Sequence, residues 1–116
     1  MVKNKKLVSK LERGDIIKVS FDPTIGHEQS GYRPALVMSS NTFHKTTGSA
    51  LCLPITSKVK GLLFEIEILG KEIKGVALPH GARMLDLTNR DSILVEKCNT
   101  EALSKAQIIM TKIITS

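Results

Sequence analysis

The sequence is poor in aromatic residues, with three Phe, one Tyr and no Trp among 116 residues. The core must therefore be built from aliphatic side chains, and a nucleic-acid site would bind with little base stacking. The two cysteines, Cys52 and Cys98, form neither a C-x-x-C pair nor a cluster with histidine. This argues against a zinc site and a disulfide framework, and favours free thiols in a reducing compartment.

Long hydrophobic runs are also missing. No segment approaches the roughly 18 apolar residues of a membrane-spanning helix, and the N-terminal stretch MVKNKKLVSKLERGD has no apolar region typical of a signal peptide. We therefore expect a cytoplasmic protein. The phosphate-binding loop G-x-x-x-x-G-K-[ST], G-x-G-x-x-G after a strand, H-E-x-x-H and G-x-S-x-G are absent. Nucleotide hydrolysis, dinucleotide redox chemistry and zinc proteolysis lose their usual sequence support.

Acidic residues are fewer than basic ones, 11 against 17, which gives a net charge of +6. Much of the excess lies in the N-terminal residues, so we divide the chain into a basic arm, 1–12, and a single domain, 13–116. A basic surface favours polyanionic partners, with an affinity that falls steeply with salt. The alternative for the arm is a solubilising tail, and the sequence leaves open whether the arm is flexible or folded.

Short apolar segments between turn signals predict a mainly β domain with short helices. The expected strands are 15–21, 35–39, 50–56, 64–69, 75–78, 83–87 and 92–95. A helical turn is expected over 41–45, and a C-terminal helix is expected to begin at Asn99 or Thr100. Its apolar residues at helical spacing are expected to dock on the sheet: Leu103, Ala106, Met110 and Ile113. This order predicts a small, partly closed antiparallel barrel.

Polar side chains of chemical interest lie at strand ends and in loops. They are His27, Glu28, Gln29, Arg33, Thr56, Ser57 and His80. Arg33 presents a planar fork suited to phosphate, or else forms a surface ion pair with Glu28 that is worth little. A threonine that ends a buried strand is usually structural, although Ser57 and Lys58 beside Thr56 make that segment favourable for anions. Residues alone therefore indicate a basic β domain that binds anions.

Three segments together resemble the MazF/PemK family of bacterial toxins. They are RGDIIKVSFDPTIGHEQSGYRPALVMS, LCLPIT and GVAL, and the resemblance is strongest to the MazF and ChpB type. It implies an SH3-like small β-barrel of the MazF/Kid/CcdB kind, with a C-terminal α-helix, working as a homodimer. It also implies the toxin of a toxin–antitoxin system, a sequence-specific endoribonuclease for single-stranded RNA, chiefly messenger RNA. Its expected partner is a MazE-like antitoxin with an acidic C-terminal segment.

The resemblance implies roles for individual residues. Arg33 of the RP motif and Thr56 of the P-x-T motif are the implied catalytic pair. Glu28, in a loop that gates the RNA groove, is the third expected catalytic residue, as a general base. The implied reaction uses no metal or cofactor: the ribose 2′-OH attacks phosphorus to give a 2′,3′-cyclic phosphate and a 5′-OH. Further RNA contacts are expected from His27, Gln29, Ser57, Lys58, His80 and Arg83.

One position departs from the family pattern. After GVAL the family commonly has Asp-Gln, whereas this chain has Pro79-His80-Gly81. A histidine cannot repeat the role of a carboxylate, although it can exchange a proton near neutral pH. Either His80 substitutes chemically or the recognised RNA sequence differs, and we favour the second interpretation.

Two other functions stay open on the sequence. The first is a non-catalytic toxin or binding module on the same fold, such as a CcdB-like gyrase poison, because fold alone does not decide function. The second is a structural anion-binding protein. The presence of both Arg33 and Thr56 favours RNA cleavage over these alternatives.

Overall fold

The computed structural model describes residues 5–21 and 32–115. These residues form three α-helices and seven strands. In chain order they are α1 (Lys5–Lys10), β1 (Asp15–Ser20), β2 (Tyr32–Val37), α2 (Asn41–Thr47), β3 (Ser49–Thr56), β4 (Ile66–Leu69), β5 (Lys74–Ala77), β6 (Arg83–Asp86), β7 (Ser92–Lys97) and α3 (Thr100–Thr115). Short 3₁₀ turns, Pro79–Gly81 and Leu87–Asn89, flank β6. The predicted fold class, mainly β with short helices and a C-terminal helix, is confirmed.

The strands form one antiparallel sheet in the order β4-β5-β3-β2-β1-β7, with β6 also paired to β3. Strand β3 therefore has three partners: it meets β2 through residues 52–54, β6 through residues 49–52 and β5 through residues 55–56. The sheet curls enough for the turn of the β4–β5 hairpin, at one edge, to contact β7 at the other.

Both faces of the sheet are buried in aliphatic side chains. On the first, which we call the α1 face, Val19, Val37 and Cys52 pack with Val8 and Leu11 of the N-terminal segment. On the second, the α3 face, the buried residues come from five strands and α3. They include Ile16, Leu36, Leu53, Ile66, Ile68, Ala102 and Ala106. Because successive side chains point to opposite faces of a strand, these clusters assign each strand position to one face.

The described part of the N-terminal segment, which starts at Lys5, is folded. Helix α1 places Val8 against the core, and Leu11 follows it into a fully buried position. Asn41 donates from Nδ2 to the carbonyl oxygens of Ser9 and Leu11, at 2.9 and 2.8 Å. Val8 and Leu11 therefore pack with the side chains of the α1 face.

Some predicted boundaries shift. Strand β2 begins at Tyr32 rather than at residue 35, so that Arg33 and Pro34 are strand residues. Strand β4 begins at Ile66, and Phe64 precedes it. The stripe predicted on the C-terminal helix is wrong at Ile113, which is 58% exposed. Helix α3 packs on the sheet as far as Met110: Ala102 and Ala106 are buried, and Leu103 and Met110 are half-buried against the same core. Within the described residues, none of the helices is long and apolar enough to cross a membrane.

Candidate functional site

Arg33 and Thr56 lie at the same end of two neighbouring strands. Strands β2 and β3 pair Ala35 with Pro54 and Val37 with Cys52. Arg33 and Thr56 each lie two residues beyond the last registered pair, Ala35 with Pro54, so the register extended by two residues sets them opposite each other. Side-chain alternation directs both residues to the α1 face, beyond the edge of its buried core. Two residues from distant parts of the sequence are thus brought to one place.

A cleft opens where β2 and β3 part. Their registered pairing ends at Ala35 and Pro54, and neither Pro34 nor Pro54 has an N–H to extend the ladder. The cleft has a volume of about 300 Å³. Its lining residues are Pro34, Ile55, Thr56, Ser57, Glu72, Ile73 and Lys74. Thr56 therefore lies where the α1 face meets the cleft.

The Thr56 hydroxyl is oriented by the backbone that follows it. The N–H of Lys58 donates to Thr56 Oγ1 at 3.1 Å. This bond occupies one acceptor site of the hydroxyl and leaves its proton for donation to another group. Ser57 and Lys58 are exposed beside it. The arrangement suits an anion that accepts a hydrogen bond from Thr56.

The Arg33 side chain is exposed at the end of β2. Its cross-strand partner on β1 is Val19, which is fully buried. The guanidinium group therefore extends past the rim of the core. In the described ranges 5–21 and 32–115, no residue forms a hydrogen bond or ion pair with it. A guanidinium group presents its donors as a planar fork that binds phosphate oxygens in pairs.

Arg83 adds a second guanidinium group on the same face. It is the first residue of β6 and pairs with Cys52, which places its side chain on the α1 face with Arg33 and Thr56. Its Cζ atom lies 5.8 Å from the ring centroid of Phe21. This cation–π contact orients the guanidinium group at the rim of the core.

The 3₁₀ turn that contains His80 is anchored next to Thr56. Leu78 donates its N–H to the carbonyl oxygen of Pro54 at 3.0 Å, and a β-carbon at Gly81 would lie 3.0 Å from Pro54 Cγ. The His80 ring is exposed and meets the Phe64 ring edge-on, with centroids 4.8 Å apart at 76°. His80 and Phe64 thus form a small aromatic surface near the strand ends.

Six of the nine predicted site residues are described: five lie at the C-terminal end of β3 or in segments beside it, and Arg83 pairs with Cys52 nearer the middle of β3. The six are Arg33, Thr56, Ser57, Lys58, His80 and Arg83. The other three predicted residues, His27, Glu28 and Gln29, lie outside the described residues. Their expected roles stay predictions.

Sequence reasoning missed the wall of the cleft formed by Glu72, Ile73 and Lys74. Lys74 directly precedes the GVAL segment. Its basic charge was the sequence feature that could have marked it as a candidate anion-binding residue. Gly75 allows this wall to approach β3, because a β-carbon there would collide with the carbonyl oxygen of Thr56. Its φ of +149° is also one that other residues rarely adopt.

The thiols are poor candidates for chemistry. Burial raises the pKa of Cys52 to about 12, and burial also raises the pKa of Cys98. Both are therefore protonated at neutral pH. Because the thiolate is the nucleophilic form of cysteine, neither is suited to act as a nucleophile. Within the part of the chain that the structure describes, no three His, Cys, Asp or Glu residues cluster as metal ligands.

Comparison with known proteins gives consistent matches over most of the chain. Residues 12–114 match the family described as PemK-like, MazF-like toxin of type II toxin–antitoxin systems. The endoribonuclease toxin MazF of Escherichia coli strain K12 is 40% identical over 102 residues, which cover 88% of this chain and 89% of that protein. The endoribonuclease toxin ChpB of the same strain is 36% identical over 112 residues, covering 88% and 96%.

Solved structures agree with the sequence matches. The crystal structure of MazF from Deinococcus radiodurans superposes with a TM-score of 0.80 at 29% identity, covering 91% of this chain and 97% of that one. A MazE–MazF crystal structure from the same organism gives a TM-score of 0.80 at 30% identity, with the same coverage.

Proposed function

Because the chain belongs to the family of PemK-like and MazF-like toxins of type II toxin–antitoxin systems, we propose that it is an endoribonuclease that cuts single-stranded RNA, chiefly messenger RNA, at specific sequences. Curated relatives bear the names of endoribonuclease toxins. The observation that supports the proposal is the β2–β3 register, whose last pair is Ala35 with Pro54 and which, extended by two residues, sets Arg33 opposite Thr56.

The proposed reaction is an internal transesterification. The ribose 2′-oxygen forms a bond to the adjacent phosphorus as its proton leaves, and the bond from phosphorus to the 5′-oxygen breaks. The 5′-oxygen takes up a proton, so the products are a 2′,3′-cyclic phosphate and a 5′-OH. Negative charge on the phosphate oxygens grows in the transition state, where preorganised donors are most effective.

Arg33 and Thr56 supply those donors. The guanidinium group of Arg33 binds two phosphate oxygens, and the Thr56 hydroxyl donates the proton that its bond from Lys58 leaves available. Arginine stays protonated in proteins, so Arg33 stabilises charge and moves no proton. Glu28 is the proposed base for the 2′-OH. These groups act without a metal or cofactor.

RNA on either side of the reacting phosphate contacts the neighbouring polar residues. They are His27, Gln29, Ser57, Lys58, His80 and Arg83. His80, held beside Phe64, selects the bases next to the cut. A changed cut-site preference for His80→Ala on a mixed RNA pool, at a similar overall rate, would support this role. An unchanged cut site and an unchanged rate would dismiss it.

The proposed partners are an antitoxin and a second copy of the chain. A MazE-like antitoxin with an acidic C-terminal segment suits the basic charge of this protein. A homodimer is supported by exposed Ile93 and Leu94 on the edge strand β7. An RNA substrate and two free thiols support action in the cytoplasm.

The test is cleavage of a mixed RNA pool by purified protein in EDTA, with both new ends mapped. We expect cuts at one short motif, bearing cyclic phosphate and 5′-OH ends. Arg33→Ala should slow cleavage by on the order of 10²–10³, whereas Lys112→Ala, which removes a positive charge from exposed α3, should not. Full activity of Arg33→Ala would refute the catalytic assignment. Gyrase inhibition without RNA products would refute the ribonuclease itself.

A further inference from the structure

The turn of the β4–β5 hairpin is held by a carboxylate from the opposite edge of the sheet. Glu96 of β7 accepts from three consecutive backbone N–H groups in the segment 70–73, which we call the 70–73 turn. Lys71 donates to Oε1 at 2.9 Å, and Glu72 and Ile73 donate to Oε2 at 3.0 and 2.9 Å. These bonds lower the pKa of Glu96, the one from Ile73 most.

A bulge in β7 aims Glu96 at this turn. Ile16 and Ile17 of β1 pair with Glu96 and Leu94, so that Val95 is an extra residue on β7. Such a bulge re-aims the side chains beyond it. It places Glu96 opposite Ile16, whose side chain is on the α3 face, where the β4–β5 hairpin also packs.

Gly70 fits the same arrangement. A β-carbon at Gly70 would collide with Glu96 Oε2 and lie 2.8 Å from the Ile73 carbonyl oxygen. The Gly70 N–H also donates to that carbonyl oxygen at 2.9 Å. The turn therefore closes tightly around the carboxylate, and a side chain at residue 70 would displace it.

The 70–73 turn also bounds the proposed RNA site. Glu72, Ile73 and Lys74 form the wall of the cleft that faces Thr56 and Ser57. Strand β5 is attached to β3 through only two registered pairs, Ile55 with Ala77 and Thr56 with Val76. Lys74 lies outside those pairs and is held instead by its pair with Leu69 of β4 and by the turn that joins the two strands.

We propose that Glu96 is a positioning residue, which holds the 70–73 turn so that Lys74 faces Thr56 and binds a phosphate of the RNA next to the reacting one. The inference rests on the proposed ribonuclease function. Lys74 contacts a non-reacting phosphate, so its contribution is equal in the ground state and the transition state. Its misplacement raises KM and leaves kcat nearly unchanged.

The experiment compares Glu96→Gln with Glu67→Gln. Glu67 lies on the same hairpin, in β4, and is exposed. Two measurements are made on each full-length protein: steady-state cleavage of a single-stranded RNA oligonucleotide that contains the mapped cut site, and amide hydrogen exchange of residues 71–73. For Glu96→Gln we expect exchange faster by roughly tenfold and KM raised by on the order of tenfold. Glu67→Gln should match the wild type in both.

A double-mutant cycle with Lys74→Gln separates positioning from general loss of structure. If Glu96 acts through Lys74, adding Glu96→Gln to Lys74→Gln raises KM no further, because the interaction has already been removed. Independent, multiplicative effects on KM would overturn the proposal, as would an unchanged KM in Glu96→Gln. If the wild type and Glu67→Gln cut no RNA, the proposed function itself fails, and the inference falls with it.

Discussion

The carbonyl oxygen of Thr56 lies so close to the α-carbon of Gly75 that a β-carbon has no room between them. Gly75 also has a φ of +149°. Gly75→Ala must therefore separate β5 from β3, in addition to adopting a rare backbone conformation.

We expect Gly75→Ala to lower the free energy of unfolding by roughly 1–3 kcal/mol from strain alone, with a further loss from the collision. Urea denaturation measures this change. Gly61→Ala is the matched control: its φ is +78° and no atom lies within 4 Å of an added β-carbon. Equal losses in the two variants would show that the contact with Thr56 is unimportant for stability.

The Thr56 hydroxyl provides a second prediction. Thr56→Val keeps the shape of the side chain and removes the donor, so cleavage should slow by on the order of 10²–10³. Thr56→Ser keeps a hydroxyl and should retain most of the activity. The measurement is single-turnover cleavage, which reports the chemical step. Similar rates for the valine and serine variants would exclude hydrogen-bond donation by this residue.

His44 is a buried histidine that joins three segments. Nδ1 donates to the Leu11 carbonyl oxygen at 3.0 Å, so Nε2 accepts from Ser39 Oγ at 2.7 Å. Ser39 Oγ in turn accepts from the N–H of Leu51 at 2.8 Å. Replacement by an apolar residue removes both hydrogen bonds of the ring, and the Leu11 carbonyl oxygen and Ser39 Oγ then keep only their bonds from Asn41 and Leu51.

His44→Leu should therefore lower the free energy of unfolding by about 0.5–1.5 kcal/mol for each lost hydrogen bond. Thermal and urea unfolding provide the measurement. His80→Leu serves for comparison because His80 is exposed, and its stability should stay near that of the wild type. A His44→Leu protein as stable as His80→Leu would contradict the hydrogen-bond assignment.

The cysteines should react slowly in the native protein. Because burial raises the pKa of Cys52 to about 12, almost none of it is thiolate at neutral pH, and access is blocked as well. Cys98 is half-buried with a raised pKa, so it should react before Cys52. Iodoacetamide labelling followed by mass spectrometry checks the order, with urea-unfolded protein as the fully reactive reference. Rapid native labelling of Cys52 would contradict its burial.

Asp86 makes stability depend on pH. Hydrogen bonds from the Thr88 and Asn89 side chains lower its pKa in the folded state. Its contribution is present above the unfolded pKa and is lost as pH falls through the folded one. Below about pH 4, the difference in stability between wild type and Asp86→Asn should therefore shrink. A constant difference in Tm from pH 6 to acidic pH would show that Asp86 does not titrate with folding.

The sequence patterns predicted the strands well because turn residues bound short β-branched segments. The strand predicted at 50–56 is observed at Ser49–Thr56, and the helix expected to begin at Asn99 or Thr100 begins at Thr100. The prediction that Ile113 docks on the sheet was wrong because periodicity identifies an apolar helix face but does not indicate where the sheet beneath the helix ends. Its 58% exposure shows that the support stops earlier.

The site was predictable only in part. Arg33 and Thr56 came from motifs that resemble a family, whereas their alignment across β2 and β3 depends on a register that no local pattern specifies. Lys74 and Glu96 were missed for a similar reason. The bulge at Val95 and the closure of the sheet bring Glu96 to the turn, and both are properties of the assembled sheet.

The three partners of β3 make the chain unequally tolerant of changes in length. A residue inserted within β3 shifts its pairing with β2, β5 or β6 and turns the following side chains to the wrong face. The segment 57–65 between β3 and β4 has no strand pairing to preserve. A residue inserted there leaves the register of every described strand unchanged.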